Sequence, residues 1–436
     1  MRDGLRLCLS LYACEPNRGS EPGVGWAWAL GMAKRHETWV ITRANNRKTI
    51  EAELDRLSVP AEERPHFVWV DLPPWVCRLK KAGFVPTSVY YLFWQFAARS
   101  AWDKAGIRAD IVHHVTFNSF AVPGVWWNRS EKVVLGPLGG MSICPPAFLR
   151  CFSPMARAKE FIRGFSRRLW RCDAFFIRSR ASADFVFFTT EAMRKRLGRT
   201  SRSAVLLETA VPEKLENRPP RHAEKSRERR FTWAGTLAGH EAGDVAVRAF
   251  AKAFRGDPSP PLLEMFGTGP DRRRLERLID RLGAGDFIRL CGSVSQEELW
   301  NRMESSIALL FTSVRDTSGN VALEALALGT PVVCFDHQGV AGIVDGTCGI
   351  KVAPRSYRQA VADFAEALRG LCADPGRAGR LGAAGRRRVS EKFAWERKFD
   401  AADAAYADVM ALRDSGNRPD DVSGPGCDMH DNGSEP

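Results

Sequence analysis

The chain has 436 residues, of which 44% are hydrophobic and 26% are charged, with a formal net charge of +13 at pH 7. This composition excludes a disordered or fibrous protein, and the length allows two domains with complete cores. The excess of Lys and Arg indicates an anionic partner. Because the chain has neither a zinc-finger spacing nor an Arg-Gly-aromatic ribonucleoprotein motif, a membrane surface or a phosphorylated ligand is favoured over nucleic acid.

The eleven cysteines are scattered along the chain, with no CxxC pair and no Cys/His spacing of a metal site. Such an odd, unpatterned set indicates buried thiols in a reducing compartment. Residues 7–14 follow two arginines and faintly resemble a short signal sequence, but their apolar part is short, so a first buried strand is the better interpretation. No apolar run reaches the length of a transmembrane helix. We therefore expect a cytoplasmic protein, with peripheral attachment to the inner face of the cell membrane left open.

Strand candidates alternate with helical stretches in the first half of the chain. We expect strands at residues 5–12, 38–42, 66–72, 110–115, 132–136 and 185–189. We expect helices at residues 24–34, 49–57, 89–104 and 158–180. This alternation predicts βαβ units around a parallel sheet.

A second alternating set follows a segment rich in Pro, Glu and Arg, residues 206–230, whose composition is typical of a linker. Its strands are expected at residues 230–234, 262–266, 288–291, 307–311 and 331–335. Its helices are expected at residues 244–254, 272–282, 296–304 and 320–328, and a final helix at 386–412. The remaining residues, 413–436, are rich in Gly, Asp, Ser and Pro and are expected to be disordered.

The most informative segment is an apolar strand that leads through a polar loop into an Ala/Leu-rich helix. Asp316 and Glu324 flank this turn. The amides of Ser318, Gly319 and Asn320 would lie at the helix N-terminus, where unpaired N–H groups and the helix dipole favour phosphate or sugar oxygens. Glu324, further along the helix, could reach a pair of ribose hydroxyls. The arrangement suits a nucleotide-sugar, and an ordinary crossover with two surface acids is the alternative.

This segment resembles the Glu-x7-Glu signature of family 4 retaining glycosyltransferases. The positions that match the family pattern are Glu324, Ala325, Gly329, Pro331, Val332 and Val333. Asp316 stands where the first Glu is usual. The resemblance extends over most of the chain and implies an α/β protein with the GT-B architecture, in which two Rossmann-like domains face a central cleft.

The resemblance also implies a division of the chain. We expect an acceptor-binding domain at residues 1–205, a linker at 206–230, a nucleotide-sugar-binding domain at 231–385, a helix crossing back to the first domain at 386–412, and the tail at 413–436. Residues 393–396, Phe-Ala-Trp-Glu, resemble the Phe-x-Trp-Glu landmark of that crossing.

Two candidate site segments lie in the first half. The loop after the first strand resembles the Gly-Gly loop of the family, which lies near the donor diphosphate and the acceptor; here Gly19 is followed by Ser20, and a purely structural turn is the alternative. The family often carries a histidine after the fourth strand that donates a hydrogen bond to the transferred sugar. Strict register places this position at Val115, so a local shift is needed to make His114 the functional candidate, and His113 lies beside it. The alternative is that the histidine at this strand end has only a structural role.

The second half carries the remaining donor-binding candidates. Gly235 and Thr236 align with the family segment Gly-Arg-Leu-x-x-x-Lys-Gly, whose Arg and Lys usually clamp the diphosphate, and Glu241 stands at the Lys position. Losing both cations should cost several kcal/mol of donor or leaving-group stabilisation unless they are replaced. Residues 266–270, which include Gly267, resemble the family's Gly-x-Gly-Pro turn near the nucleotide. Residues 288–292, which include Arg289, resemble the family's strand whose backbone meets the base. The conceivable replacement cations are Arg272, Arg315 and Lys351.

The resemblance implies a retaining transfer from a nucleotide-sugar donor, with no metal ion and no resident cofactor, and with Asp316 and His114 as the catalytic candidates. Basic segments with interleaved aromatic residues, at 75–102 and 148–180, favour a lipid-linked glycan acceptor at an anionic membrane. Such an enzyme would act in cell-surface polysaccharide or glycolipid biosynthesis. A solvated basic face is the alternative for these segments. For the function, the alternatives are a catalytically silent GT-B homologue that binds a partner, and another GT-B enzyme such as a nucleotide-sugar epimerase.

Overall fold

The structure is a computed structural model that describes residues 4–117, 119–120, 122, 124–166, 174–197, 202–219 and 229–411. At residues 20, 166, 174–176 and 180 only the backbone is described. The predicted tail at 413–436 and part of the predicted linker at 206–230 lie outside these ranges.

A seven-stranded sheet forms in the first half, in the order β3-β2-β1-β4-β5-β6-β7, and every neighbouring pair is parallel. Its strands are β1 Arg6–Ser10, β2 Glu37–Thr42, β3 His66–Trp69, β4 Ile111–His114, β5 Lys132–Leu138, β6 Phe185–Phe188 and β7 Ser203–Val205. The helices in this part of the chain are α1 Ser20–Ala33, α2 Arg47–Arg56, α3 Pro74–Lys81, α4 Thr87–Ala105, α5 Pro154–Ser166, α6 Ala174–Ala181, α7 Glu191–Leu197 and α8 Glu213–Glu216.

A six-stranded parallel sheet forms in the second half, in the order β10-β9-β8-β11-β12-β13. Its strands are β8 Arg230–Ala234, β9 Leu262–Phe266, β10 Ile288–Gly292, β11 Leu309–Phe311, β12 Val332–Phe335 and β13 Gly349–Val352. The helices are α9 Gly243–Phe254, α10 Arg272–Arg281, α11 Gln296–Ser305, α12 Asn320–Ala327, α13 Gln338–Ile343, α14 Tyr357–Ala373, α15 Pro375–Lys392 and α16 Trp395–Ala411.

The central strands are short, continuous apolar runs that are buried on both faces, such as β6 and β12. This pattern is typical of parallel sheets covered by helices on both sides, and it confirms the predicted βαβ units. The structure differs from the predicted elements in some of their limits and in several elements that were not predicted, among them the helices α3, α7, α13 and α14. The predicted helix at 158–180 contains parts of two helices, α5 and α6, and the predicted final helix is divided between α15 and α16. The edge strands β7 and β13 were not predicted, because they are short and only partly apolar.

The last helix, α16, packs on the first domain. Phe399 lies edge-on to Trp28 of α1, with ring centroids 5.7 Å apart. Arg35, just after α1, donates to three carboxylates of α16 at 2.5–2.9 Å. The Tyr406 hydroxyl lies 2.7 Å from His113 Nδ1 of β4. The C-terminal helix thus completes the core of the domain in which the chain begins.

A segment of the first half reaches in the opposite direction, into the core of the second domain. The 3-10 turn Pro146–Cys151 places Phe148 edge-on to Phe335 of β12, with centroids 5.0 Å apart. Phe152 lies against the loop after β8, so that a Cβ added at Gly239 would stand 2.8 Å from Phe152 Cα. Helix α5 follows directly and therefore lies beside the second domain.

Among the helices of the described ranges, none has the length and hydropathy that crossing a membrane requires.

Candidate functional site in the interdomain cleft

The topological switch points of the two sheets mark the expected ligand site. β1 lies between β2 and β4, and β8 lies between β9 and β11; ligands of such sheets bind beyond the carboxyl ends of the strands at these points. The loops of the two domains meet here. Ser142 Oγ lies 3.1 Å from Thr317 Oγ1, and Gln338 Nε2 donates to the Ile143 carbonyl at 3.0 Å.

Asp316 closes the loop between β11 and α12. Its carboxylate accepts the Gly319 amide at 2.5 Å and also accepts the amides of Thr317 and Ser318. Burial raises the pKa of Asp316, and these amides oppose the rise. Two of the three amides that the sequence assigns to the donor, those of Ser318 and Gly319, are therefore bound by this carboxylate, and a donor oxygen must share these amides with Asp316 or replace its carboxylate.

The geometry of this loop depends on Gly319. Its φ of 59° lies in the left-handed region, and an added Cβ would stand 2.7 Å from Ile343 Cδ1 on α13. A side chain here would be strained by the backbone and would also clash. Asn320, the first residue of α12, accepts a hydrogen bond from Thr209 Oγ1 at 2.5 Å. The loop is thus held from two sides.

Glu324, the second acid of the signature, is positioned by α11. Trp300 Nε1 donates to Glu324 Oε2 at 2.9 Å, and Gln296 Nε2 donates to Oε1 at 3.3 Å. Burial raises the pKa of Glu324, and both hydrogen bonds lower it. Each carboxylate oxygen retains a lone pair that can accept a ribose hydroxyl. Neither Trp300 nor Gln296 was a sequence candidate, because nothing in their local pattern links them to the signature.

The loops after β8 and β9 contact each other through backbone atoms. A Cβ added at Gly267 would stand 1.9 Å from the Gly235 carbonyl oxygen, so Gly267 is required by this close approach. Thr236, which follows Gly235 in the chain, is exposed, and Arg289 is exposed on the edge strand β10. The structure therefore places Gly235, Thr236 and Gly267 in one loop cluster, with Arg289 on the edge strand beyond it.

In the turn after β1, the predicted glycine, Gly19, is not the glycine that packing requires. Gly19 precedes α1, and a Cβ added there would meet nothing within 4 Å, so Gly19 is not required by packing. Close approaches occur instead at Gly23 and Gly25, where an added Cβ would stand 2.1 Å from the Arg18 carbonyl oxygen and 1.9 Å from the Ala13 carbonyl oxygen, respectively. Ser20 is the first residue of α1, and its side chain lies outside the described part of the structure.

The histidines at the end of β4 are internal. His114 places its ring nitrogens 2.6 Å from the Tyr91 hydroxyl and 2.9 Å from Ser10 Oγ. His113 pairs in the same way with the Tyr406 hydroxyl and a backbone carbonyl. Burial lowers the pKa of each histidine to about 3. Both rings are neutral, fully buried and hydrogen-bonded on both sides, which is the arrangement of a structural histidine, and the catalytic role of His114 stays a prediction.

Two further acids, which the sequence analysis missed, lie in the cleft. The Glu208 carboxyl, from the segment between the domains, hydrogen-bonds the Glu21 carboxyl of α1. Glu21 also accepts the Phe117 amide at 2.9 Å. Burial and the negative charges of Glu21 and Asp316 raise the pKa of Glu208 well above its usual value. The raised pKa favours the protonated form of Glu208, which is hydrogen-bonded to the Glu21 carboxyl group.

Glu241 adds a fourth carboxyl group to this region. Burial and the charge of Asp316 raise its pKa to about 7. Near Glu208, burial lowers the pKa of Lys398 to about 7, and the Lys398 side-chain nitrogen donates to the Leu207 carbonyl.

Within the described ranges, no group of three or more His, Cys, Asp and Glu side chains is placed to hold a metal ion.

One of the three conceivable replacement cations lies at the cleft. Arg315 donates to Glu160 of α5 at 2.5 Å, across the domain boundary. Arg272 instead pairs with Glu276 at 2.9 Å, and Lys351 pairs with an aspartate on its own domain at 2.8 Å. Arg315 is therefore the candidate that the structure retains.

The second domain is also recognised by sequence comparison. Residues 216–388 match the model of the family described as glycosyl transferases group 1. The matched residues make up less than half of the chain. The resemblance inferred from the sequence is thereby confirmed at the level of this family.

Curated relatives match over the same part of the chain. The D-inositol 3-phosphate glycosyltransferase of Streptomyces bingchenggensis is 33% identical over 187 residues, which are 41% of this chain and 40% of the relative. The protein of the same name from Geodermatophilus obscurus is 33% identical over 183 residues, 40% of this chain and 39% of the relative. The chain thus matches about two fifths of the length of these curated relatives.

Solved structures match over nearly the whole chain. Sucrose-phosphate synthase from Thermosynechococcus elongatus superposes with a TM-score of 0.60 at 17% identity, covering 94% of this chain and all of that one. WaaG, a glycosyltransferase involved in lipopolysaccharide biosynthesis, gives 0.56 at 16% identity over 92% and 99%. HepE of Anabaena, in complex with UDP, gives 0.56 at 13% identity over 94% and 100%. At these identities the similarity concerns the fold, and it confirms the predicted GT-B architecture.

Proposed function

We propose that this protein is a retaining glycosyltransferase that moves a sugar from a nucleotide-sugar donor to a glycan acceptor. The supporting observation is the loop between β11 and α12, in a segment that matches the group 1 family. This loop holds Asp316 and three backbone amides at the carboxyl end of the sheet, and Glu324 follows on the helix. Oxygens of a sugar and of a diphosphate are the ligands that such a helix start favours.

Different residues of the site bind different groups of the donor. Glu324, held by Trp300 and Gln296, accepts the ribose hydroxyls. When the donor binds, the amides of residues 317–319 donate to the donor sugar or its phosphate instead of to Asp316. Asp316 then accepts a hydrogen bond from a sugar hydroxyl. The chain contributes positioning and electrostatic stabilisation, while the departing phosphate oxygen takes the proton of the acceptor hydroxyl. This scheme requires no metal ion.

The acids of the cleft must be partly protonated for an anionic donor to bind. Burial and neighbouring negative charge raise the pKa of Glu208 well above its usual value and raise the pKa of Glu241 to about 7. Each protonated carboxyl group removes a negative charge and becomes a hydrogen-bond donor for a phosphate or sugar oxygen. Two cations of the usual clamp are thus exchanged for neutral donors, which makes donor binding dependent on pH.

Exposed apolar side chains support a lipid-linked acceptor and an anionic membrane as partners. They lie on α3 to α4 and on α5, the two segments in which the sequence interleaves aromatic and basic residues. The members that are more than half exposed are Trp75, Phe84, Phe93, Met155, Phe161, Ile162 and Phe165. An apolar surface rimmed by Lys and Arg is suited to an anionic bilayer. Arg167, Arg168 and Arg171 of the basic segment lie outside the described residues. The proposed place of action is the cytoplasmic face of the membrane, in polysaccharide or glycolipid biosynthesis.

A catalytically silent GT-B homologue that binds a partner is the second candidate. It is favoured by Thr236 and Glu241 at the positions of the diphosphate clamp, and by the amides already bound to Asp316. Such a protein would keep the fold but would not bind a nucleotide.

A thermal-shift panel with UDP, GDP, ADP, dTDP and their sugars separates the two candidates. A ligand at ~100 times its dissociation constant stabilises by ~2.7 kcal/mol, and we expect one nucleotide to do so. Glu324→Ala should abolish this shift, whereas Glu366→Ala, an exposed acid on α14, should retain it. No shift with any nucleotide would favour the silent homologue, and a full shift in Glu324→Ala would refute the role of Glu324.

A further inference from the structure

A cavity of about 270 Å³ lies between the two domains, next to the loop of Asp316. Helix α5 forms one wall, with Lys159, Glu160 and Arg163 facing inward. The opposite wall comes from the loops after β8 and β11, including His240 and Arg315. The cavity thus joins a helix of the first half to the loops of the candidate donor site.

The walls concentrate positive charge around one buried carboxylate. Glu160 Oε2 lies 2.5 Å from Arg315 and 3.5 Å from Arg163 Nε. Glu160 Oε1 is buried without a hydrogen-bond partner. Lys159 is exposed at the edge of the cavity. Two guanidinium groups therefore share one carboxylate, and an additional oxyanion would relieve their mutual repulsion.

The environment of His240 reflects the same charge. Burial lowers the pKa of His240, and the charges of Arg315 and Arg163 lower it further, while Glu160 opposes them. A neutral imidazole offers one N–H donor. Asp271, the other acid of the cavity, is paired with Arg274 at 3.1 Å. The inward-facing groups are therefore mainly hydrogen-bond donors.

The outer face of α5 is apolar. Met155 is 72% exposed, Phe161 is 74% exposed and Ile162 is 65% exposed, whereas Lys159, Glu160 and Arg163 occupy the face toward the cavity. This is the reverse of an ordinary surface helix, whose apolar face points into the protein. Large apolar side chains at such exposure indicate a non-aqueous partner for that face.

We propose that the cavity binds a phosphate monoester group of a lipid-linked acceptor, with the outer face of α5 in contact with the membrane. Lys159 and Arg163 contact the phosphate from α5, and Arg315 contacts it from the donor-binding domain. The inference rests on the proposed function and specifies the acceptor of that reaction. The donor diphosphate has the same chemistry, so the test must separate the two sources.

The test uses flotation of the full chain with phosphatidylcholine vesicles that carry either phosphatidic acid or phosphatidylglycerol at equal charge density. The first lipid presents a phosphate monoester and the second only a diester. We expect tighter binding to the phosphatidic acid vesicles. Lys159→Gln and Arg163→Gln should each weaken that binding about tenfold and leave binding to phosphatidylglycerol nearly unchanged. The control Lys104→Gln, an exposed lysine on α4, should change neither.

Nucleotide thermal shifts of the same variants identify the source of the phosphate. Unchanged nucleotide stabilisation in Lys159→Gln and Arg163→Gln supports the acceptor site. Loss of that stabilisation with unaltered vesicle binding would assign the cavity to the donor and overturn the proposal. Equal binding of the wild type to both vesicles, or equal weakening by Lys104→Gln, would also overturn it. If none of the nucleotides stabilises the wild type, the proposed function is refuted, whatever the result of the vesicle experiment.

Discussion

Replacing Glu241 by Gln should stabilise the protein above neutral pH and have little effect in mild acid. Burial and the nearby carboxylate of Asp316 raise the pKa of Glu241 from 4.5 to about 7, against the lowering effects of Ser313 and Arg315. His240 Nε2 also faces this carboxyl, 3.4 Å from Oε1. Below pH 4.5 the group is protonated in both the folded and the unfolded state, so the free energy of unfolding does not depend on its titration.

Between these two pKa values the unfolded chain releases the proton that the folded protein retains. The free energy of unfolding therefore falls as pH rises, by about 1.36 kcal/mol per pH unit. Above the folded pKa the cost of the ionised group is complete, on the order of 3 kcal/mol. Gln keeps the size of the side chain but does not titrate, so Glu241→Gln recovers this amount at pH 8 and almost none at pH 4.5.

Urea unfolding of the wild type and Glu241→Gln at pH 5 and pH 8 measures the difference. Glu366→Gln, on an exposed face of α14, is the matched control and should give the same change at both pH values. A stabilisation by Glu241→Gln that is equal at both pH values would refute the electrostatic reasoning, because a packing effect does not depend on proton uptake.

Two further substitutions test the donor loop and its neighbour. Gly319→Ala introduces a Cβ at φ 59° and 2.7 Å from a side chain of α13, so it should lower the free energy of unfolding by about 1–3 kcal/mol and weaken nucleotide stabilisation. Trp300→Phe removes the N–H that donates to Glu324 at 2.9 Å; it should weaken nucleotide binding about tenfold, the equivalent of ~1.4 kcal/mol. Thermal unfolding with and without nucleotide measures both.

Controls for these substitutions come from comparable positions. Gly346→Ala has no atom near its added Cβ and should leave stability within about 0.5 kcal/mol of the wild type. A Gly319→Ala variant as stable as Gly346→Ala would contradict the predicted clash. Unchanged nucleotide affinity in Trp300→Phe would show that Glu324 needs no support from α11.

Local patterns in the sequence were sufficient for the fold and for part of the site. Apolar runs such as β6 and β12 must be buried on both faces, and their alternation with helices leaves a parallel sheet as the arrangement that satisfies the backbone. The turn from β11 into α12 was likewise predictable, because Gly319 and the helix start lie within a few residues of each other. Edge strands such as β13 were missed, since they carry less apolar signal.

The tertiary structure decided which polar groups meet in the cleft. Glu160 and Arg315 are 155 residues apart in sequence, and Glu21 meets Glu208 only because α1 and the interdomain segment converge at the switch point. His114 shows the opposite outcome, since a strand-end histidine near the expected position became a buried core residue. Periodicity reports which residues are buried, but it carries no information on which distant residues they face. The sequence by itself determined two parallel sheets and the turn from β11 into α12, whereas long-range packing decided the charges around that turn.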